Sequence, residues 1–260
     1  MHEEKQASHT AVYNHAISGL MLAEVYGQVS GARAKQVKQA IEHALKFSLE
    51  LQSRPKRSLD LGGWRYVPVF CSGIDSDLSV TGWQLMFFRS AKNAEFDVPE
   101  KSVSAAVDYV RGLWNPGGGT FSYALHDDPR LPARVTRGMT GAGILCLSMA
   151  GQHETIMARS AGDWLLAHPF KVFGEVIPVR DDRFFYSAYY CSQAMAQLGG
   201  RHWEQFFPAL ADVLLSSQAA DGSWPAEPGS GDAIFGNTYS STLAVLSLTP
   251  PYQLLPVYQR

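Results

Sequence analysis

Two kinds of helical segment alternate along this 260-residue chain, and the alternation limits the folds open to it more than any single motif does. Apolar residues recur at i, i+3, i+4 and i+7 throughout, the spacing of one helix face. Segments 34–52, 100–113, 154–167 and 203–218 carry charge on the opposite face and read as outer helices with one wet side. Segments 12–26, 78–88, 139–150, 184–198 and 239–248 are nearly uncharged and rich in small and aromatic residues, so they must be enclosed by protein. Gly-aromatic turns separate them: Gly62-Gly63-Trp64-Arg65-Tyr66, Gly118-Gly119-Thr120-Phe121-Ser122-Tyr123 and Asp221-Gly222-Ser223-Trp224-Pro225. Gly62 and Gly118 lie 56 residues apart, and Gly118 and Gly222 lie 104 apart, twice 52. A further turn is therefore expected near 170, at His168-Pro169-Phe170 and Phe173-Gly174-Glu175.

The pattern predicts an all-α protein, an α/α toroid of about five helical hairpin repeats with inner and outer rings, as one domain over residues 1–260. Runs of β-branched residues with period two are lacking. Small residues at Gly19, Gly82, Gly141, Gly143 and Ala194 would let inner helices approach closely. Pro250, Pro251 and Pro256 forbid a regular helix at the carboxyl end, so the tail is expected to run extended over the surface.

Composition agrees with enclosure. Apolar residues make up 46% but charged residues only 18%, below the roughly 25% of an ordinary soluble domain. A formal charge of −2 gives no field to recruit nucleic acid or an anionic membrane. No apolar stretch approaches the roughly 20 residues that cross a bilayer. The amino end, MHEEKQASHT, lacks a basic region followed by an apolar core. A cytoplasmic protein is expected from this, a previously removed leader aside. Cys71, Cys146 and Cys191 are odd in number, widely spaced and without a CxxC pair, and read as reduced, mostly buried thiols. P-loop, GxGxxG, HExxH and GxSxG sequences are absent, which removes local support for nucleotide hydrolysis, Rossmann redox chemistry and the common hydrolase mechanisms.

The segment Gln218-Ala219-Ala220-Asp221-Gly222-Ser223-Trp224 resembles the QW-type repeat of squalene-hopene cyclases, oxidosqualene cyclases and protein prenyltransferase β subunits. The chain also resembles the bacterial prenyltransferase/squalene-oxidase repeat proteins. That style appears in Gly62-Gly-Trp-Arg-Tyr, Asp75-Ser-Asp-Leu-Ser-Val-Thr-Gly-Trp-Gln-Leu-Met, Tyr189-Tyr-Cys-Ser-Gln-Ala-Met-Ala-Gln-Leu-Gly-Gly and Leu254-Leu-Pro-Val-Tyr-Gln-Arg. The resemblance implies parallel inner helices around an apolar cavity, and an isoprenoid or similar apolar molecule as partner. Terpenoid cyclases close their ring with six hairpins, so five inner helices imply a truncated or incompletely closed version.

Parallel inner helices would put their amino ends at one mouth, where free N–H groups and helix dipoles favour anions. Asp75-Ser76-Asp77 is the sharpest element there. The resemblance to class II terpene cyclases places Asp77 as the acid that protonates an alkene or epoxide, with Asp75 as its partner. That chemistry needs one carboxylic acid kept protonated in a dry site. The motif is incomplete, since Leu78 replaces the last carboxylate of DxDD, and Asp77 also fits a plain N-cap of the following helix.

In prenyltransferase β subunits the same place holds a D-x-C zinc pair. Here Asp77 replaces the Cys and Asn237 the expected His, so even with Cys71 as a substitute no metal and no cofactor is assigned. Arg134 and Arg137 could grip a carboxylate or pyrophosphate, or pair with Asp127, Asp128 or Asp181. His15, Trp83, Tyr186, Tyr190 and Tyr239 could line the ligand, with rings facing a carbocation, or could be plain core. The leading expectation is a terpenoid cyclase-like protein, possible proton-initiated cyclisation or isomerisation included. The alternatives are a non-catalytic toroid serving as a binding or scaffold module, and a polysaccharide-active toroid pairing Asp77 with Asp181 or Asp182. A homo-oligomer is compatible with each.

Overall fold

The structure, a computed structural model, describes residues 10–66, 74–126, 134–174, 182–227, 234 and 236–259. Helices dominate the described residues, as the periodicity predicts. In order they form α1 (Ala11–Val25), α2 (Gly31–Gln52), α3 (Leu78–Asn93), α4 (Glu100–Gly112), a short hairpin of β1 (Trp114–Asn115) and β2 (Thr120–Phe121), α5 (Arg137–Met149), α6 (Ile156–Ala167), α7 (Phe184–Leu198), α8 (Gly200–Ser216) and α9 (Gly236–Leu248). The hairpin pairs Trp114 with Phe121 and Asn115 with Thr120, folding back over the Gly117 to Gly119 run.

The chain groups into two compact units. One comprises Met1–Leu113, Tyr123–Ala133 and Leu255–Gln259, the other chiefly Trp114–Ser122 and Arg134–Leu254. In the first unit α1 packs on α3, with α2 behind α1 and α4 behind α3. In the second, α7 packs between α5 and α9, with α6 behind α5 and α8 behind α7. Each unit thus repeats the order of enclosed and amphipathic helix that the spacing predicts.

Every residue of α5 is buried, and α3 and α7 are nearly so. Their amino ends are fixed by side-chain caps where the sequence supplies them: Asp77 accepts the Val80 N–H and Thr136 the Met139 N–H. Close packing between enclosed helices has a visible cause in α5. A Cβ on Gly141 would come within 2.8 Å of the Cys191 backbone nitrogen. The terminal members of the set depart from the expectation of full enclosure. Ile17 and Met21 on α1, and Val245 on α9, face solvent because no further enclosed helix covers those sides among the described residues.

Two of the three Gly-aromatic turns are corners of one design. The Trp64 indole N–H donates to the carbonyl of Ser48 on α2, and its backbone N–H donates to Thr81 Oγ1 on α3. Trp224 repeats this with the carbonyl of Leu214 on α8 and Ser241 Oγ on α9. In both corners the hydroxyl lies 17 residues after the tryptophan. A glutamine clasps each turn: Gln52 donates to the carbonyl of Gly62 at 2.8 Å and Gln218 to that of Gly222 at 2.9 Å. Gly62 must be glycine, since its φ is +89° and a Cβ would sit 2.1 Å from the Ala105 carbonyl oxygen.

The tail corrects another expectation. It forms two short 3-10 turns, Pro250–Tyr252 and Pro256–Tyr258, rather than an extended surface strand. Val257 is buried; its N–H donates to Glu24 Oε2 on α1, and the Tyr258 hydroxyl donates to Met86 Sδ on α3. The prolines stop an α-helix but leave single 3-10 turns open, and burial of Val257 favours one.

Candidate functional site

The loop that enters α3 gathers more buried charge than any other part of the first unit. It begins at Asp60, which is fully buried. Asp60 Oδ2 accepts from Arg57 Nε at 2.5 Å and from the Asp75 N–H at 3.0 Å, and its carbonyl accepts from Ser76 Oγ at 2.7 Å. Asp60 therefore shapes the Asp75-Ser76-Asp77 segment from behind. The segment is also tied to the Trp64 corner, where the Asp77 N–H donates to the Trp64 carbonyl at 2.9 Å.

Asp77 is buried completely. Its Oδ1 accepts from the Val80 N–H at 2.9 Å and from Ser79 Oγ at 2.5 Å. Its Oδ2 accepts from Arg65 NH1 at 2.9 Å. Burial pushes the carboxyl above its ordinary value, against the Arg65 charge and the Ser79, Val80 and Arg65 hydrogen bonds that pull it down. Both expectations for Asp77 rest on this geometry: it caps α3, and it is a dry carboxyl beside a cation.

Three phenols surround the pair. Arg65 NH1 also donates to the Tyr123 hydroxyl at 3.0 Å, which donates on to that of Tyr66 at 3.4 Å. Arg65 lies over both rings. Tyr109 is buried nearby, and burial with the charges of Asp77 and Asp60 pushes its hydroxyl far up, as burial with Asp77 does for Tyr123. Tyr109 and Tyr123 therefore hold their protons across the accessible pH range.

Asp75 is half-buried and lines a pocket of about 270 Å³ with Lys56, Trp64, Arg65 and Tyr66 among others. Sequence reasoning missed Arg65, Asp60, Tyr123 and Tyr109. Arg65 and Tyr123 had a signal, because each sits inside a recurring turn motif; Asp60 and Tyr109 are joined to Asp77 only by folding.

The remaining predicted residues are distributed over both units. His15 on α1 sits in a buried network: its Nε2 lies 3.1 Å from the Ala44 carbonyl and 3.0 Å from Ser48 Oγ, which donates to Gln84 Oε1. Burial lowers its pKa, so it is a neutral tie between α1, α2 and α3. Trp83 on α3 is 9% exposed. In the second unit Arg134 is exposed, and the Tyr186 and Tyr190 rings on α7 lie 4.9 Å apart. Tyr239 on α9 is half-buried.

Arg137 is buried and fully engaged within the second unit. Its Nε donates to Asp182 Oδ2 at 2.7 Å, its backbone N–H to Asp182 Oδ1 at 2.9 Å and its NH1 to the Pro169 carbonyl at 3.2 Å, while its guanidinium lies 3.8 Å from the Phe170 ring centre. Its described carboxylate partner is Asp182; Asp127, Asp128 and Asp181, with Cys71, lie outside the described residues. Asp182 is itself buried in that pair, which removes it from the carboxylates available for a polysaccharide site. Among the described residues no three His, Cys, Asp or Glu side chains gather as a metal site.

No protein-family model and no curated protein matches the chain. Solved structures similar to it include type II terpene cyclase MstE from Scytonema without ligand, at 15% identity and a TM-score of 0.45, covering 94% of this chain and 89% of that one. An aspartate variant of MstE in complex with its substrate, geranylgeranyl dihydroxybenzoate, is 14% identical with a TM-score of 0.41, covering 92% and 85%. Another, in complex with its product, merosterolic acid A, is 14% identical with a TM-score of 0.43, covering 94% and 88%.

Proposed function

We propose that this chain is a terpenoid cyclase-like protein that binds an isoprenoid or similar apolar molecule and uses Asp77 to protonate an alkene. The observation that supports the reading is the Asp77 carboxyl itself. Burial favours its protonated form, and the donors that await its conjugate base, Arg65 NH1, Ser79 Oγ and the Val80 N–H, are already in place. Such preorganised donors stabilise charge as it develops and need no reorganisation at the moment of transfer.

The proton would leave Asp77 for one carbon of a C=C bond, forming a C–H bond and a carbocation at the other carbon. Ring closure or a shift would follow, and loss of a proton would restore a neutral alkene, so the reaction is redox-neutral. Asp60 and Asp75 would act as positioning residues. Trp83, in the same unit as Asp77, is proposed as an aromatic face for the cation. Incubating the protein with squalene and shorter polyprenyl alkenes, beside Asp77→Asn, tests this. Cyclised product from the wild type, reduced by at least about 100-fold in the variant, is expected for loss of a general acid; equal product from both removes the mechanism.

A second reading, a non-catalytic binding or scaffold module, is favoured by the fact that each hydrogen bond of the Asp77 carboxyl described above is internal and caps or braces the corner. It predicts that Asp77→Asn lowers the melting temperature while the affinity for an apolar ligand stays unchanged.

A further inference from the structure

We propose that the pocket beyond the carboxyl end of α2 binds a small oxyanion, a carboxylate or sulfate-like group, through Lys56, Arg54 and Arg65. This inference does not need Asp77 to donate a proton, although Arg65 serves both readings. Among the described residues the pocket is lined by Arg54, Lys56, Trp64, Arg65, Tyr66 and Asp75 with others, three cationic residues and one carboxylate. Its volume of about 270 Å³ suits a headgroup or small aromatic acid, since sites for whole drug-sized ligands span roughly 300–1,000 Å³.

Lys56 is the centre of the site. Its ammonium donates to the Gly63 carbonyl, which fixes the amine in the pocket wall and commits one of its three N–H donors. Asp60, whose charge favours the ammonium form, also accepts from Arg57 Nε and the Asp75 N–H. Asp75 in turn accepts the Arg57 N–H at 3.4 Å, and Arg65 reaches from the pocket wall to Asp77. Burial lowers the Lys56 pKa to about 8; Asp60 and Asp75 push it back up and Arg54 down. The two carboxylates offset the burial of the amine only in part, and an incoming anion would further favour its ammonium form.

The amine also supplies a signature. An anion binds the ammonium form, so affinity is flat below a pH of about 8 and falls about tenfold per unit above it, until the raised pKa of the bound amine is reached. A guanidinium stays charged throughout that range. Lys56, rather than Arg54 or Arg65 beside it, is therefore the group that sets the slope.

Calorimetric titration with sodium sulfate and, separately, sodium benzoate tests this, because neither probe changes charge between about pH 7 and about pH 9.5. One equivalent is expected to bind, with affinity at the higher pH lower by about tenfold or more. Lys56→Met is expected to weaken binding at least about tenfold. Lys56→Arg is expected to bind at both pH values without the slope. Sulfate alone would identify an inorganic-type oxyanion site and benzoate alone a carboxylate site, each in support. The proposal is overturned if neither anion binds, if Lys56→Met binds as the wild type does, or if the wild-type affinity is independent of pH. Should Lys56→Met fail to fold by circular dichroism, the comparison of wild type with Lys56→Arg still decides.

Discussion

Arg137 sits in a helix with no other charge and is 2% exposed, with Asp182 wholly buried against it. Neither charge is tolerable there alone, because an isolated ion in the interior loses its solvation without compensation. Arg137→Met is therefore expected to cost about 3–5 kcal/mol, as removing one partner of a buried pair typically does, and the double variant Arg137→Met/Asp182→Leu to recover most of that. Urea unfolding measures both; a single variant as stable as the wild type would show that the pair carries no weight. The same logic separates two carboxylates that look alike in sequence. Asp77 and Asp182 each precede an enclosed helix and each meets an arginine, but the arginine of Asp77 is bonded to a phenol while that of Asp182 lies over the Phe170 ring. Residue identity could not distinguish them, because Arg65 and Tyr123 come from other loops.

At the scale of elements, the enclosed helices depend on small residues at their crossings. Gly141 of α5 backs onto the main chain of α7 at Tyr190 and Cys191. Alanine there would gain about 1 kcal/mol of helix propensity, yet its methyl would meet backbone, which cannot give way as a flexible side chain can. Overpacking costs about 1–3 kcal/mol, so a net loss is expected for Gly141→Ala. At Gly27 an added methyl would meet nothing within 4 Å, so the same change should be tolerated. Thermal denaturation of the two variants decides the point, and a stabilised Gly141→Ala would refute the crossing. These helices were legible from their lack of charge and from the turns between them. The Gln52 clasp was not, because it lies ten residues before its Gly62 partner while Gln218 lies only four before Gly222.

For the molecule as a whole, the two compact units each carry an enclosed layer, and no described helix is long and apolar enough to cross a membrane. The first unit includes the carboxyl-terminal turn, held by Val257 against α1 and α3. Val257 is 1% exposed, and losing two buried methyl groups costs about 1–2 kcal/mol. Val257→Ala should therefore speed amide hydrogen exchange in α1 and α3. Unchanged exchange there would mean that the tail contributes nothing to the unit it touches.

Sequence by itself determined the helical class, the order of enclosed and amphipathic helices, the corners and the capping role of Asp77. Each follows from local rules: helical periodicity, the positive φ that glycine allows, and a short acceptor placed before a helix. Only tertiary structure decided which charges meet, that Arg65 and not another arginine faces Asp77, that Asp182 takes Arg137, and that Lys56 shares a pocket with Arg54, Arg65 and Asp75. The physical reason is that a buried charge selects its partner by distance and desolvation, and in this fold the nearest countercharge comes from a loop up to 45 residues away along the chain.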